Sequence, residues 1–209
     1  MSPANTSRVS IVILASAPIP GFAKAQLIPT IGAHAAAVLQ ERLTERTVAT
    51  AFAAGVGSVT LCCAPDGTHD SFLKMVGRMK ITLKPQPQGD LGARMLAAMA
   101  GSAGPVLVIG TDCPALTEIH LRSAATALHD GTDVVLIPAE RGGYVLLGMR
   151  KVQPALFSNI AWGRSTVLAE LRARIVDQRL MLVERPPLWD VETEIDLARL
   201  EREFPELKL

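Results

Sequence analysis

Five short stretches of this 209-residue chain carry residues that could do chemistry. The first is Val106-Leu107-Val108-Ile109-Gly110-Thr111-Asp112-Cys113-Pro114. A wholly apolar run stops abruptly at Gly-Thr-Asp, so it reads as a strand buried on both faces and ending in a carboxylate. Open α/β sheets bind ligands beyond the carboxyl ends of their strands. An aspartate there could hold a divalent cation that carries a phosphorylated substrate, or it could cap the next helix. The second stretch is Leu188-Trp189-Asp190-Val191-Glu192-Thr193-Glu194-Ile195-Asp196. On extended backbone Asp190 and Glu192 face one side, and such a pair could complete a cation site with Asp112. Thr193 and Asp196 have the spacing of a helix N-cap and its capping-box partner.

The other three stretches are loops that contain glycine. In Gln88-Gly89-Asp90-Leu91-Gly92-Ala93-Arg94 the loop could approach a base or ribose closely, with Arg94 reaching a phosphate or bracing Asp90. A capped helix start with an exposed arginine explains the same residues. In Pro138-Ala139-Glu140-Arg141-Gly142-Gly143-Tyr144 the paired glycines would let backbone approach a ligand, or simply make a hairpin turn. The loop Ser16-Ala17-Pro18-Ile19-Pro20-Gly21-Phe22-Ala23-Lys24 follows the first strand, where α/β nucleotide-binding domains place phosphate contacts. It is neither a Walker A loop nor a G-x-G-x-x-G turn. Read alone, it is an ordinary Pro/Gly connection with a solvated lysine.

The elements that must position these residues alternate. Strands are expected over 9–15, 59–63, 80–83, 106–109, 133–137, 144–148 and 180–183. Helices are expected over 33–54, 70–77, 91–100, 117–129, 165–178 and 195–204, with a short helical or irregular piece over 154–159. Strand–helix alternation through the first two thirds predicts a mostly parallel sheet. The Gly142-Gly143 turn breaks the rhythm and predicts an antiparallel insertion at one edge. The expected organisation is one domain over residues 8–209 after a disordered tail over residues 1–7.

Composition narrows the function classes. The formal net charge is +1 without a basic stripe, which gives nucleic-acid binding no electrostatic support. Three cysteines, Cys62, Cys63 and Cys113, form no disulfide framework, and no Cys/His spacing resembles a zinc site. Reducing cytoplasm is the compartment this cysteine usage favours. The run Val9–Leu14 before Ala15-Ser16-Ala17 mimics a signal peptide, but a first buried strand explains it better. No segment is long enough to span a bilayer.

The order and spacing of these motifs resemble the nucleotide-diphospho-sugar transferase superfamily. More narrowly, the chain is similar to a bacterial glycosyltransferase-like family of unknown function related to phospholactate guanylyltransferases. The resemblance runs from Ala17-Pro18-Ile19-Pro20-Gly21 with Lys24 and Leu27, through Gly89-Asp90-Leu91-Gly92 with Arg94-Met95, to Gly110-Thr111-Asp112-Cys113-Pro114. It continues with Pro138-Ala139 and Gly142-Gly143-Tyr144, Trp162-Gly163, and Asp190 with Thr193, Asp196 and Leu197. It implies a glycosyltransferase A-type, Rossmann-like three-layer sandwich with a mostly parallel mixed sheet. It also implies a nucleotide or nucleotide sugar held over the strand ends by Pro20, Gly21, Lys24, Gly89, Asp90, Arg94, Gly142, Gly143 and Tyr144. Asp112 and Asp190 would be the catalytic carboxylates and the ligands of Mg²⁺ or Mn²⁺.

Transfer of a glycosyl group is the leading reaction. Nucleotidyl transfer onto a phosphorylated small molecule and a non-catalytic nucleotide sensor are the rivals. The chain departs from the family pattern in three places. Ser16 stands where lysine is usual, and Lys24-Ala25-Gln26-Leu27 where Lys-Thr-Arg-Leu is usual. Arg141 stands where aspartate is usual. A polyphosphate therefore loses two expected cations, and one acidic position has reversed its sign.

Overall fold

The computed structural model describes residues 8–209, so the tail expected over residues 1–7 lies outside the described residues. Seven strands form one sheet: β1 (Ser10–Ser16), β2 (Val59–Ala64), β3 (Thr82–Pro85), β4 (Val106–Ile109), β5 (Val134–Pro138), β6 (Tyr144–Met149) and β7 (Leu182–Glu184). Their spatial order is β3-β2-β1-β4-β6-β5-β7. β6 runs antiparallel to β4 and β5, whereas the β1–β2, β1–β4, β2–β3 and β5–β7 pairs are parallel. This is the mostly parallel mixed sheet that the alternation of elements predicts.

Six α-helices connect and cover the strands: α1 (Ile28–Ala54), α2 (Asp70–Arg78), α3 (Leu91–Met99), α4 (Glu118–His129), α5 (Val167–Asp177) and α6 (Glu194–Glu203). One face of the sheet packs on Val48 and Ala51 of α1, Phe72 and Met75 of α2, and Leu121 and Leu128 of α4. The other packs on Met95 and Met99 of α3 and on Leu168, Leu171 and Ile175 of α5. Adjacent Cys62 and Cys63 fall into these two separate cores, as strand geometry requires of neighbours. A third cluster joins Leu39 and Leu43 of α1 to Trp189 and Leu200, which seats α6 and the segment before it against α1.

Helix boundaries follow local chemistry. Asp90 caps α3 by accepting a 2.8 Å bond from the Ala93 amide. Thr193 and Asp196 form the expected capping box of α6. α1 begins at Ile28, but Gly32 interrupts it at φ 79, so the regular helix is the predicted run from residue 33. β3 lies two residues later than predicted, because a short exposed edge strand has little apolar pattern to mark it.

The expectation of an antiparallel edge insertion is corrected. β6 lies inside the sheet between β4 and β5, and the edges are β3 and β7. Five of its six residues are buried, and Gly148 makes room for its neighbour. A Cβ there would come within 2.8 Å of Leu107 Cδ2 on β4.

Candidate functional site

The carboxyl ends of β1, β4 and β5 and the start of β6 border a cleft of about 620 Å³. Asp112 follows β4 at its floor, and its side chain is 46% exposed. Two contacts fix it. Its carbonyl accepts a 2.8 Å bond from the Val191 amide, which ties the segment before α6 to the tip of β4. Its Oδ1 accepts a 2.6 Å bond from Lys24 Nζ, which also donates to the Val191 carbonyl at 2.8 Å. Behind it, buried Gln40 of α1 donates to Thr111 Oγ1 at 3.0 Å.

Lys24 is therefore not the solvated loop lysine that its local sequence predicts. Its side chain is 2% exposed. Its backbone adopts the left-handed conformation, φ 48 and ψ 43. A buried ammonium is tolerated because carboxylate and carbonyl oxygens replace its water.

Asp190 and Glu192 line the same cleft, as alternation on extended backbone requires. Burial pushes the Asp190 carboxyl up to about 6, and the Glu192 charge pushes the same way, against the pull of Arg141. Arg141 reaches Asp190 Oδ1 at 3.4 Å and donates to the Asp190 carbonyl at 2.9 Å. Its main partner is Asp196, through Nη1 to Oδ1 at 3.0 Å and Nη2 to Oδ2 at 2.5 Å. Burial alone would raise the Asp196 carboxyl. Hydrogen bonds from Arg141, the Glu192 amide and Thr193 outweigh burial and hold it at about 2.

The remaining expected residues divide into two groups. Arg94, Gly143 and Tyr144 line the cleft together with Asp112 and Asp190. The Tyr144 hydroxyl is turned onto Met95 Sδ at 3.1 Å, and burial pushes it up. Pro20, Gly21, Gly89, Asp90 and Gly142 lie outside the cleft lining. Asp90 is occupied as a helix cap. Gly142 makes its close approach to protein: at φ +89, a Cβ would stand 2.3 Å from the Ser165 carbonyl oxygen.

Sequence reasoning gave several cleft residues no role in the site. Trp162 lies against Gly92, where a Cβ would come within 2.6 Å of the indole nitrogen. Gly92 is thus the residue that admits the indole to the cleft wall. The indole N–H and Arg94 Nε are both buried without a partner among the described residues. Arg164 and Ser165 complete this wall ahead of α5. The spacing of Gly92 and Trp162, seventy positions apart, carries no local signal. Cys113 lines the floor, but burial pushes its thiol up to about 12, so at neutral pH it is no nucleophile.

The implied divalent cation can be tested against these donors. Asp112 already holds the Lys24 ammonium, and Asp190 already faces the Arg141 guanidinium. Among the described residues, no group of three or more His, Cys, Asp or Glu is arranged to hold an ion. These residues do not fit a resident divalent cation.

A family model described as an uncharacterized protein conserved in bacteria (DUF2064) matches residues 47–164, more than half of the chain. The chain belongs to this family. No curated protein matches it in sequence. Among solved structures it is similar to a Desulfovibrio desulfuricans protein assigned provisionally as a nucleotide-diphospho-sugar transferase. That likeness has 25% identity and a TM-score of 0.82, covering 95% of this chain and 89% of the other. It is also similar to 4-diphosphocytidyl-2C-methyl-D-erythritol synthase from Anaerococcus prevotii, at 13% identity and a TM-score of 0.64, over 96% of this chain and 100% of that one. A third likeness is to Rv0371c of Mycobacterium tuberculosis in complex with manganese, at 17% identity and a TM-score of 0.53, over 94% and 99%. The last two show a shared fold. Together the comparisons place this DUF2064 member on the nucleotide-diphospho-sugar transferase fold. No helix among the described residues is long and apolar enough to cross a membrane.

Proposed function

We propose that this chain binds a nucleotide-diphosphate sugar in the cleft over β4 and transfers its glycosyl group to a hydroxyl acceptor. The observation that carries the reading is the joining of Asp112 and Asp190 on one cleft floor. They come from segments 78 residues apart, and the Val191–Asp112 backbone bond holds those segments together. The cleft of about 620 Å³ lies within the range of roughly 300–1,000 Å³ usual for small-molecule sites. The likeness to the Desulfovibrio protein supports the same substrate class.

Asp190 is the base in this reading. Its carboxylate takes the acceptor hydroxyl proton as the acceptor oxygen bonds to the anomeric carbon, and the bond to the nucleoside diphosphate breaks. Asp112, steadied by Lys24, orients the sugar hydroxyls or the acceptor. Arg141, Arg94 and Arg164 line the cleft where a departing diphosphate needs positive charge. The Mg²⁺ or Mn²⁺ expected at Asp112 and Asp190 has no step here. Nucleotidyl transfer is less favoured, because uncharged Ser16 lines the cleft where the family pattern supplies a lysine for a triphosphate.

A panel of nucleotide sugars, incubated with the protein and a mixture of hydroxyl acceptors, tests the reading by release of nucleoside diphosphate. Release that disappears in Asp190→Asn supports it. Release of pyrophosphate from a nucleoside triphosphate would replace glycosyl transfer with nucleotidyl transfer. Absence of binding to every nucleotide at millimolar concentration would remove both.

A further inference from the structure

We infer that Arg141 takes the place of a divalent cation in this site, so that protein cations alone meet the phosphoryl groups of the ligand. The ligand class, a nucleoside diphosphate, rests on the function proposed above. The absence of a resident metal does not rest on it.

Arg141 is anchored rather than loosely apposed. Both terminal nitrogens bond Asp196, at 3.0 and 2.5 Å. Asp196 is itself saturated, accepting also from the Glu192 amide at 3.0 Å, the Thr193 amide at 2.7 Å and Thr193 Oγ1 at 2.8 Å. The Asp196 side chain is only 7% exposed. Arg141 cannot withdraw to admit a metal without leaving a buried carboxylate short of its counter-charge. From this anchorage it reaches both the carbonyl and the carboxylate of Asp190. A dication at Asp190 would meet a fixed like charge.

Part of the same guanidinium remains available. The Arg141 side chain is 41% exposed and lines the cleft. A guanidinium presents five donors in a fixed plane; Asp196 and Asp190 take three of them, which leaves Nε and the second Nη1 donor for an anion. The second expected metal ligand is neutralised in the same way, since Lys24 holds Asp112 from beneath. Arg94 and Arg164 line the cleft as well, and among the described residues neither forms a salt bridge with an acid. The arginine thus stands at the position whose sign the sequence reverses, and the cleft carries its own cations.

Two measurements on the full chain test this. Manganese is titrated into the protein without nucleotide and followed by the electron paramagnetic resonance signal of the free ion. GDP, UDP, CDP and ADP are then titrated calorimetrically in EDTA and again in Mn²⁺. The wild-type protein is expected to leave the free-ion signal unchanged and to bind its preferred diphosphate within about twofold in the two buffers. Arg141→Asp is expected to gain Mn²⁺ binding. It should lose about tenfold or more of its diphosphate affinity in EDTA and regain it with the metal. Arg141→Gln, which adds no carboxylate beside Asp196, should show the same loss in EDTA if Arg141→Asp does not fold. Micromolar Mn²⁺ binding by the wild type, or diphosphate binding seen only with the metal, overturns the inference. If no diphosphate binds in either buffer, the proposed function fails. The manganese titration then still decides the metal: a silent wild type beside a Mn²⁺-binding Arg141→Asp supports Arg141 in the place of the cation, and Mn²⁺ binding by the wild type sinks it.

Discussion

Replacing Asp190 by asparagine should stabilise the fold while abolishing transfer. The Asp190 carboxyl is raised from 3.8 to about 6, chiefly by burial, with the Glu192 charge adding to it. Each unit is worth about 1.4 kcal/mol between the two protonation states. Two units would give about 3 kcal/mol, and partial solvation reduces this to about 1–3 kcal/mol. The sign follows from proton uptake. The folded carboxyl keeps its proton to higher pH than the unfolded one, so its favourable contribution is complete below about pH 4. That contribution is lost as pH rises through about 6. Asparagine cannot ionise and avoids that loss. Little else changes, because Arg141 keeps its two bonds to Asp196 and gives up only a 3.4 Å contact. Urea denaturation of both proteins between pH 4 and 8 measures the difference. The curves should coincide near pH 4, separate through pH 6, and stay apart by about 1–3 kcal/mol above it. In a chain of this length that is about 2–12 °C in Tm. Equal stability of the two proteins at pH 8, or a less stable asparagine variant, would refute the reasoning about this buried carboxylate.

Transfer by the wild type should rise about tenfold per pH unit below pH 6 and level off above it, because the base must be ionised; a flat profile from pH 5 to 8 removes Asp190 from that role. Lys24→Met should cost about 1–3 kcal/mol in denaturant unfolding, since it removes the 2.6 Å bond to Asp112 and the bond to the Val191 carbonyl. Gly142→Ala should cost more than about 2 kcal/mol, because a side chain at φ +89 would collide with the Ser165 carbonyl. Gly92→Ala should change Trp162 fluorescence and cost about 1–3 kcal/mol by displacing the indole, and an unaltered spectrum would show that the ring is free to move aside.

Much of the fold was legible because it is written locally. The apolar run of β4, the Asp90 cap and the Thr193–Asp196 box each sit within a few residues, where periodicity and capping chemistry act. The place of β6 was not, although its composition held the clue. Tyr144–Met149 is apolar throughout, as a strand covered on both faces should be, whereas an edge strand is usually broken by polar residues. Within the site, the placement of Asp112, Asp190 and Glu192 followed from strand ends and alternation. The buried state of Lys24 and the hold of Asp196 on Arg141 did not, since partners 88 and 55 residues away leave no local mark. A capping box gave Asp196 a complete local explanation, which concealed its second task.

The tether between Val191 and Asp112 has a consequence for biosynthesis. Lys24 and β4 emerge from the ribosome early, yet the carboxylate at 190 and the anchor at 196 follow only after every strand of the sheet has been made. A nascent chain therefore holds an unfinished cleft until the segment beginning at Trp189 has followed. A chain stalled at Pro187 lacks both the carboxylate at 190 and the carboxylate that holds Arg141, so transfer waits until α6, with its buried Leu200, has followed.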